Sequence, residues 1–214
     1  VLICFINSLI LFPKYLKTEE IGLLRQIISA ATLLLPLAAF GISGTSIKFY
    51  PEFSKDVKSK NEFFSFQFLL TIIGLFLVLI LTFIFNKELI NFFSKKSELI
   101  TDYFDIIFFI LFLLTLSTIF ESYLKSRMHI ILPNFTNGVL NRIFTGFSVL
   151  LLSVSIINFH QMIYLQVPIY SIGVLILIFY SYKKEKFTID LNFIKIKNKI
   201  NSILNFNIYS LVSG

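Results

Sequence analysis

At 214 residues, with 56% hydrophobic and only 14% charged side chains, a mean hydropathy of +0.84 and a formal net charge of +7, the chain lies far from the roughly 25% charged composition of globular domains. Its one cysteine excludes an internal disulfide, its two histidines, His129 and His160, lack metal-ligand spacing, and its basic residues sit between apolar runs, where they face lipid headgroups or set topology rather than bind nucleic acid. The composition therefore predicts an all-α, polytopic membrane helix bundle with membrane lipids as its solvent and no catalytic residue, cofactor or metal site.

Residues 1–12 form an apolar run of about 18 Å at 1.5 Å per residue, too short to cross roughly 30 Å of hydrocarbon, and read as the end of a truncated first helix. The turn from Pro13 to Lys17 leads to Thr18 as an N-cap with Glu19 and Glu20 in the first turn, which opens a second helix over 20–49. Pro36 sits in its middle, and Ala30, Ala31, Ala38, Ala39, Gly41, Ser43 and Gly44 let neighbouring backbones come close. A bent, interior helix is expected. A charged loop from Lys55 to Glu62 follows, then a phenylalanine-rich third helix over 63–86 whose surface should face lipid.

Ser97 is the predicted cap of a fourth helix over 98–124. Lys125, Arg127 and His129 form the next loop, closed by Pro133. A fifth helix covers 137–157 and, after the tight turn Asn158-Phe159-His160, an antiparallel sixth covers 161–182. These six segments make up a transmembrane bundle over 1–182. From Lys183 to Lys199 the chain is too charged to span, yet Phe193, Ile196, Ile200, Ile203 and Leu204 recur at helical spacing. The pattern predicts a cytoplasmic, interfacial amphipathic connector over 183–200, with a solvated linker as the alternative. Residues 201–214 read as the start of a seventh transmembrane helix, so the sequence reads as truncated at both ends.

Alternating the helices divides the 19 basic residues unequally. Lys48, Lys55, Lys58, Lys60, Lys125, Arg127, Arg142 and the lysines from Lys183 to Lys199 share one side, and Lys14, Lys17, Arg25, Lys87, Lys95 and Lys96 the other. The basic excess marks the cytoplasmic side, which puts the N-terminus inside. Tyr50, Tyr123, Tyr164, Tyr170, Tyr180 and Tyr182 fall near predicted helix ends, as in an aromatic belt. Asp102 and Asp105 share a face near a helix N-terminus, as interfacial acids or, alternatively, ion-coupling groups.

Three stretches together carry a family resemblance: Tyr15-Leu16-Lys17-Thr18-Glu19-Glu20-Ile21-Gly22; Pro36-Leu37-Ala38-Ala39-Phe40-Gly41-Ile42-Ser43 continuing to Lys48-Phe49-Tyr50-Pro51-Glu52; and Glu121-Ser122-Tyr123-Leu124-Lys125-Ser126-Arg127 with Pro133-Asn134-Phe135 and Asn141-Arg142. They resemble the outer turn, the end of the second helix and the fourth-to-fifth loop of the polysaccharide (O-antigen and capsule repeat-unit) flippase branch of the multidrug/oligosaccharidyl-lipid/polysaccharide flippase superfamily. Leu204 to Gly214 resembles the start of that family's seventh helix, without its proline near Tyr209.

The resemblance implies the N-terminal six-helix lobe of a two-lobe transporter in the bacterial inner membrane, whose partner is the missing C-terminal half of the same chain. Its implied substrate is an undecaprenyl-pyrophosphate-linked oligosaccharide repeat unit, flipped between leaflets by alternating access. A cavity sheltering such a headgroup needs cations and hydroxyls, and charges inside apolar helices cost about 2.5–3.5 kcal/mol each, which makes them functional candidates. Those candidates are Arg25 about one turn inside the second helix, with snorkelling to the outer interface as its alternative, and Lys48 at the cytoplasmic end of that helix, with headgroup anchoring as its alternative. The third is Arg142 about one turn into the fifth, with an interhelical ion pair as its alternative. Glu121, near the end of the fourth helix, is an ion-coupling candidate or the structural ion-pair partner of Arg142. The alternatives to a flippase are a multidrug or cation extruder of the same superfamily and, from another class, a membrane polysaccharide polymerase or glycosyltransferase. Such an enzyme would need a large outer loop or converging His, Asp, Glu or Arg groups.

Overall fold

The chain is an all-α helix bundle in a computed structural model that describes residues 2–85, Glu88 and 102–213. The predicted Ser97 cap, the residues before Asp102 in the predicted fourth helix, and Lys87, Lys95 and Lys96 lie outside the described residues. In chain order the helices are α1 (Leu2–Tyr15), α2 (Thr18–Ala39), α3 (Ile42–Phe53), α4 (Val57–Ile84), α5 (Phe104–Lys125), α6 (Ile131–Ser153), α7 (Phe159–Glu185) and α8 (Ile200–Ser213). The combined α2–α3 segment and α4, α5, α6 and α7 are each long and apolar enough to cross a bilayer. The protein is therefore membrane-embedded, and every backbone group at hydrocarbon depth must find its partner within helices or the protein interior.

The second helix differs from its expected form. Pro36 leaves α2 running, and the interruption comes four residues later, where Phe40 (φ 50°) and Gly41 (φ 69°) both take the left-handed conformation. Phe40 N–H still donates to the Pro36 carbonyl at 3.0 Å, closing α2. The chain then restarts as α3 and ends at Phe53, not residue 49. Gly41 is required on two counts: its φ disfavours any L side chain, and a Cβ there would run into the Asn207 carbonyl of α8.

Helix starts also fall earlier than the apolar runs suggest. At α2 the Glu20 carboxylate reaches back to the Lys17 N–H at 2.8 Å, so Thr18 is the first helical residue instead of the cap. Asp56 caps α4 by accepting from the Lys58 and Ser59 N–H groups, which turns most of the expected charged loop into helix. Pro133 belongs to the first turn of α6, where its missing N–H is not needed. Asn158 and Gln161 form a reciprocal capping box at α7.

Helix α5, apolar on every side, is the central rod and packs on α2, α3, α4 and α7. Leu23, Leu24, Ile27 and Ala31 of α2 meet Ile106, Ile110 and Leu111 of α5, Val149 of α6 and Met162 and Ile163 of α7 in the main core. Since lipid tails are as apolar as leucine, close van der Waals packing of these shapes holds the helices together, with interhelical polar contacts added. Phe63, Phe64 and Phe66 at the start of α4 are buried, and only the later part of that helix, with Phe76, Leu77, Ile80 and Phe83, presents the expected lipid-facing surface.

The connector is not the expected amphipathic helix. Residues 186–193 have no regular secondary structure, with Lys186 and Phe193 both in the left-handed region, and a 3-10 turn, Lys197–Lys199, precedes α8. The apolar stripe has a different use: Ile196 and Ile203 are buried, with Phe193, Ile200 and Leu204 beside them, against Phe49, Phe53, Phe63 and Phe66. Polar side chains of α4 fasten the strap. Asn61 bonds Thr188 at 2.6 Å, Ser65 Oγ accepts from the Asp190 N–H at 2.8 Å, and the fully buried Glu62 accepts from the Lys195 N–H at 2.7 Å. Irregular backbone needs outside partners for its N–H groups, and Ser65 and Glu62 supply two of them.

Candidate functional site

Two of the four candidate residues meet. Arg25 of α2 and Arg142 of α6 line one open cleft of about 400 Å³ together with Asn7, Asn137, Asn141, Thr145 and Tyr170. Because α6 starts at Ile131, Arg142 lies at the middle of that helix, about 16 Å from either end, and Arg25 lies about 10 Å from the start of α2. Arg142 therefore belongs at hydrocarbon depth, not in the basic cytoplasmic set.

Both local π-helical stretches serve this cleft. Ile6–Leu11 in α1 carries Asn7 and Ser8, and Thr136–Leu140 in α6 carries Asn137. A π-turn rotates the following side chains relative to a regular helix, and such turns recur at functional sites. Asn7 Nδ2 donates to the Arg142 carbonyl at 2.7 Å, which ties α1 to α6 where Gly146 lets the Asn7 amide approach. Asn141 is 8% exposed, and its Oδ1 has no hydrogen-bond partner. A buried acceptor without a donor is costly, and this one faces Gly173 of α7, behind the cleft that Asn141 lines.

Glu121 does not pair with Arg142. Its carboxylate takes Lys125 Nζ at 2.9 Å, Ser117 Oγ at 2.8 Å and the Asn137 Nδ2. Lys125 wins because it lies four residues on along the same helix face, whereas Arg142 sits deeper. Glu121 lines a second cavity of about 450 Å³ beside the α2–α3 break, with Ser43, Thr118, Ser122 and Lys125. Asn137 thus borders the arginine cleft while its amide holds the acid of the other cavity.

Lys48 lines neither. Its ammonium lies 3.7 Å from the Phe206 ring centroid and 5.4 Å from that of Phe49, a cation–π seat on α8.

A separate charged cluster closes the lysine-rich end. Glu185 accepts from Lys60 Nζ at 3.0 Å and Arg127 Nε at 3.1 Å, with His129 Nε2 3.7 Å away. The Arg127 guanidinium lies 3.4 Å from the Tyr123 ring centroid and 4.3 Å from that of Tyr50. Burial pulls the Arg127 pKa down, while Tyr123, Tyr50 and Glu185 push it back, so the guanidinium keeps its charge. Tyr50 and Tyr123, expected in an aromatic belt, serve this cluster instead. At the opposite end Tyr164 donates to Asp105 at 3.3 Å, and Tyr103 contacts His160 Nδ1 at 3.2 Å.

Sequence reasoning weighed charges and passed over amides. Asn137, Asn141 and Thr145, spaced four apart in an apolar helix, are a visible polar stripe, and Asn7 interrupts an apolar run in the same way. No family model, curated protein or solved structure matches the chain.

Proposed function

We propose that the chain is one helical lobe of a bacterial inner-membrane transporter that moves an anionic, lipid-linked oligosaccharide between leaflets, as its resemblance to the polysaccharide flippases implies. The observation that carries this reading is the convergence of Arg25 and Arg142 on one amide-lined cleft at membrane depth. Two arginines kept in lipid at a cost of kilocalories mark a functional path, and guanidinium forks suit phosphate oxygens better than any other side chain. The lipid tail of such a substrate stays in the bilayer beside the open cleft, and a second lobe of the same protein would close the cleft from the other side. The gathering of Lys60, Arg127 and Lys199 at one end supports a cytoplasmic placement of that end.

The test is export of repeat units to the cell surface in cells lacking the gene. The full-length protein is expected to restore surface polysaccharide, and the Arg25→Gln, Arg142→Gln double variant, inserted at equal level, to restore little. Full export by the double variant would refute the assignment.

A further inference from the structure

We infer that the cavity beside the α2–α3 break is a distinct subsite for the uncharged, hydroxyl-bearing part of the substrate, with Glu121 as its principal acceptor; this rests on the arginine cleft being the anion site. The volume, about 450 Å³, falls in the range of small-molecule pockets. Its polar atoms are set up to accept. Thr118 Oγ donates to the Leu114 carbonyl, and Ser122 Oγ donates to the Thr118 carbonyl at 2.6 Å and lies 3.2 Å from Ser43 Oγ, so the protons of Thr118 and Ser122 are used internally and each keeps a lone pair.

Glu121 points the same way. Lys125 neutralises its charge, which leaves the cavity with no net attraction for a free cation or anion. Ser117, Asn137 and Lys125 take three of the carboxylate's roughly four lone-pair sites. One acceptor position is left over for a ligand hydroxyl. Leu35, Pro36 and Ala39 add an apolar lining to the same cavity, on which the C–H face of a sugar ring can lie. A ligand rich in O–H donors with one apolar face is a saccharide.

The two sites share Asn137, which borders the arginine cleft and donates to Glu121. A pyrophosphate between Arg25 and Arg142 and a sugar against Glu121 would therefore sit on two sides of one amide.

The test uses the purified full-length protein in nanodiscs and two probes: a C20 isoprenyl pyrophosphate without sugar, and the same lipid pyrophosphate carrying a disaccharide. Ser122→Ala is expected to weaken the disaccharide probe by up to about tenfold, as for loss of one hydrogen bond, and to leave the bare probe unchanged. Glu121→Gln, which frees the Lys125 charge, is expected to lower the disaccharide-to-bare affinity ratio by about tenfold. Equal weakening of both probes, or no change in either, overturns the subsite. If Glu121→Gln proves unfolded in its melting curve, Ser122→Ala carries the comparison alone. Arg142→Gln separates the two ideas: it should weaken both probes alike, and its failure to do so would remove the anion site without touching the difference between the probes.

Discussion

Asn7 donates its side-chain amide to the backbone carbonyl of Arg142 at 2.7 Å, so the helix that carries the cleft's central cation is held by a polar contact from α1. Asn7 lies in a π-helical stretch and Arg142 in the first regular turn after another, so the amide adds a donor from outside the helix to a carbonyl of that turn. Replacing Asn7 with Leu leaves the carbonyl with a weaker set of partners. The expected cost is about 1–2 kcal/mol, measured by unfolding in detergent, and Gly146→Val, which drives a side chain into the Asn7 amide, should cost at least as much. Unchanged stability for both variants would contradict this account of the α1–α6 junction.

The charged cluster at the lysine-rich end gives a second prediction. Glu185 is the shared acid for Lys60 and Arg127, and Arg127 is only 4% exposed. Glu185→Gln leaves a buried guanidinium without its counter-charge and is expected to cost about 3 kcal/mol. Arg127→Lys keeps the charge but loses the planar stacking on Tyr123 and Tyr50, with an expected cost of about 2 kcal/mol. Equal melting temperatures for wild type and Arg127→Lys would show that the stacking contributes nothing.

Asp56 supplies a pH dependence. The Lys58 N–H, followed by the Ser59 groups, holds its carboxyl below the usual carboxylate range. A pKa depressed on folding means that the unfolded chain binds the proton more readily, so this stabilisation is complete above about pH 4–5 and is lost as pH falls through the folded-state pKa. Melting curves from pH 7 down to pH 3 should therefore fall less steeply for Asp56→Asn than for wild type. A steeper fall for the variant would reverse the sign of the argument.

The helix break yields a fourth. Gly41 combines a left-handed φ of 69° with the Asn207 carbonyl of α8 beside it, so Gly41→Ala should destabilise by more than the roughly 1 kcal/mol of the backbone penalty alone. Gly22, which has open space around it, sits inside a regular helix, and Gly22→Ala should stabilise slightly. The pair of variants, read in one thermal unfolding experiment, separates a general glycine effect from the close approach of α8. Equal effects in the same direction would exclude that approach.

Much of the fold was legible because hydrophobicity alone fixes spans in lipid: the runs around α4, α5 and α7 are visible without any contact information. Boundaries were harder, since Asp56 and Glu20 extend helices into charged sequence by capping, and a charge-rich stretch looks like a loop until the cap is recognised. The connector misled for a related reason. The stripe of Phe193, Ile196 and Ile200 has helical spacing, but it packs on α3 and α4 while buried Glu62 and Ser65 accept backbone N–H groups that a helix would have satisfied itself. Arg25 and Arg142 were identifiable as costly charges, but their convergence depended on the early start of α6. Lys48 sits on the rings of Phe49 and of Phe206, which only the fold brings to it from α8, and Glu121 takes Lys125, four residues on along the same helix, in place of Arg142.

The central claim, that Arg25 and Arg142 make a water-filled, anion-selective cleft at membrane depth, is tested most directly through Cys4, which lines it about 16 Å from the end of α1. In the full-length protein, with any other cysteines replaced, Cys4 should react with a water-soluble anionic methanethiosulfonate faster than with its cationic counterpart. Arg25→Gln combined with Arg142→Gln should erase that preference. A Cys4 that reacts with neither reagent, or that favours the cation, would contradict the account.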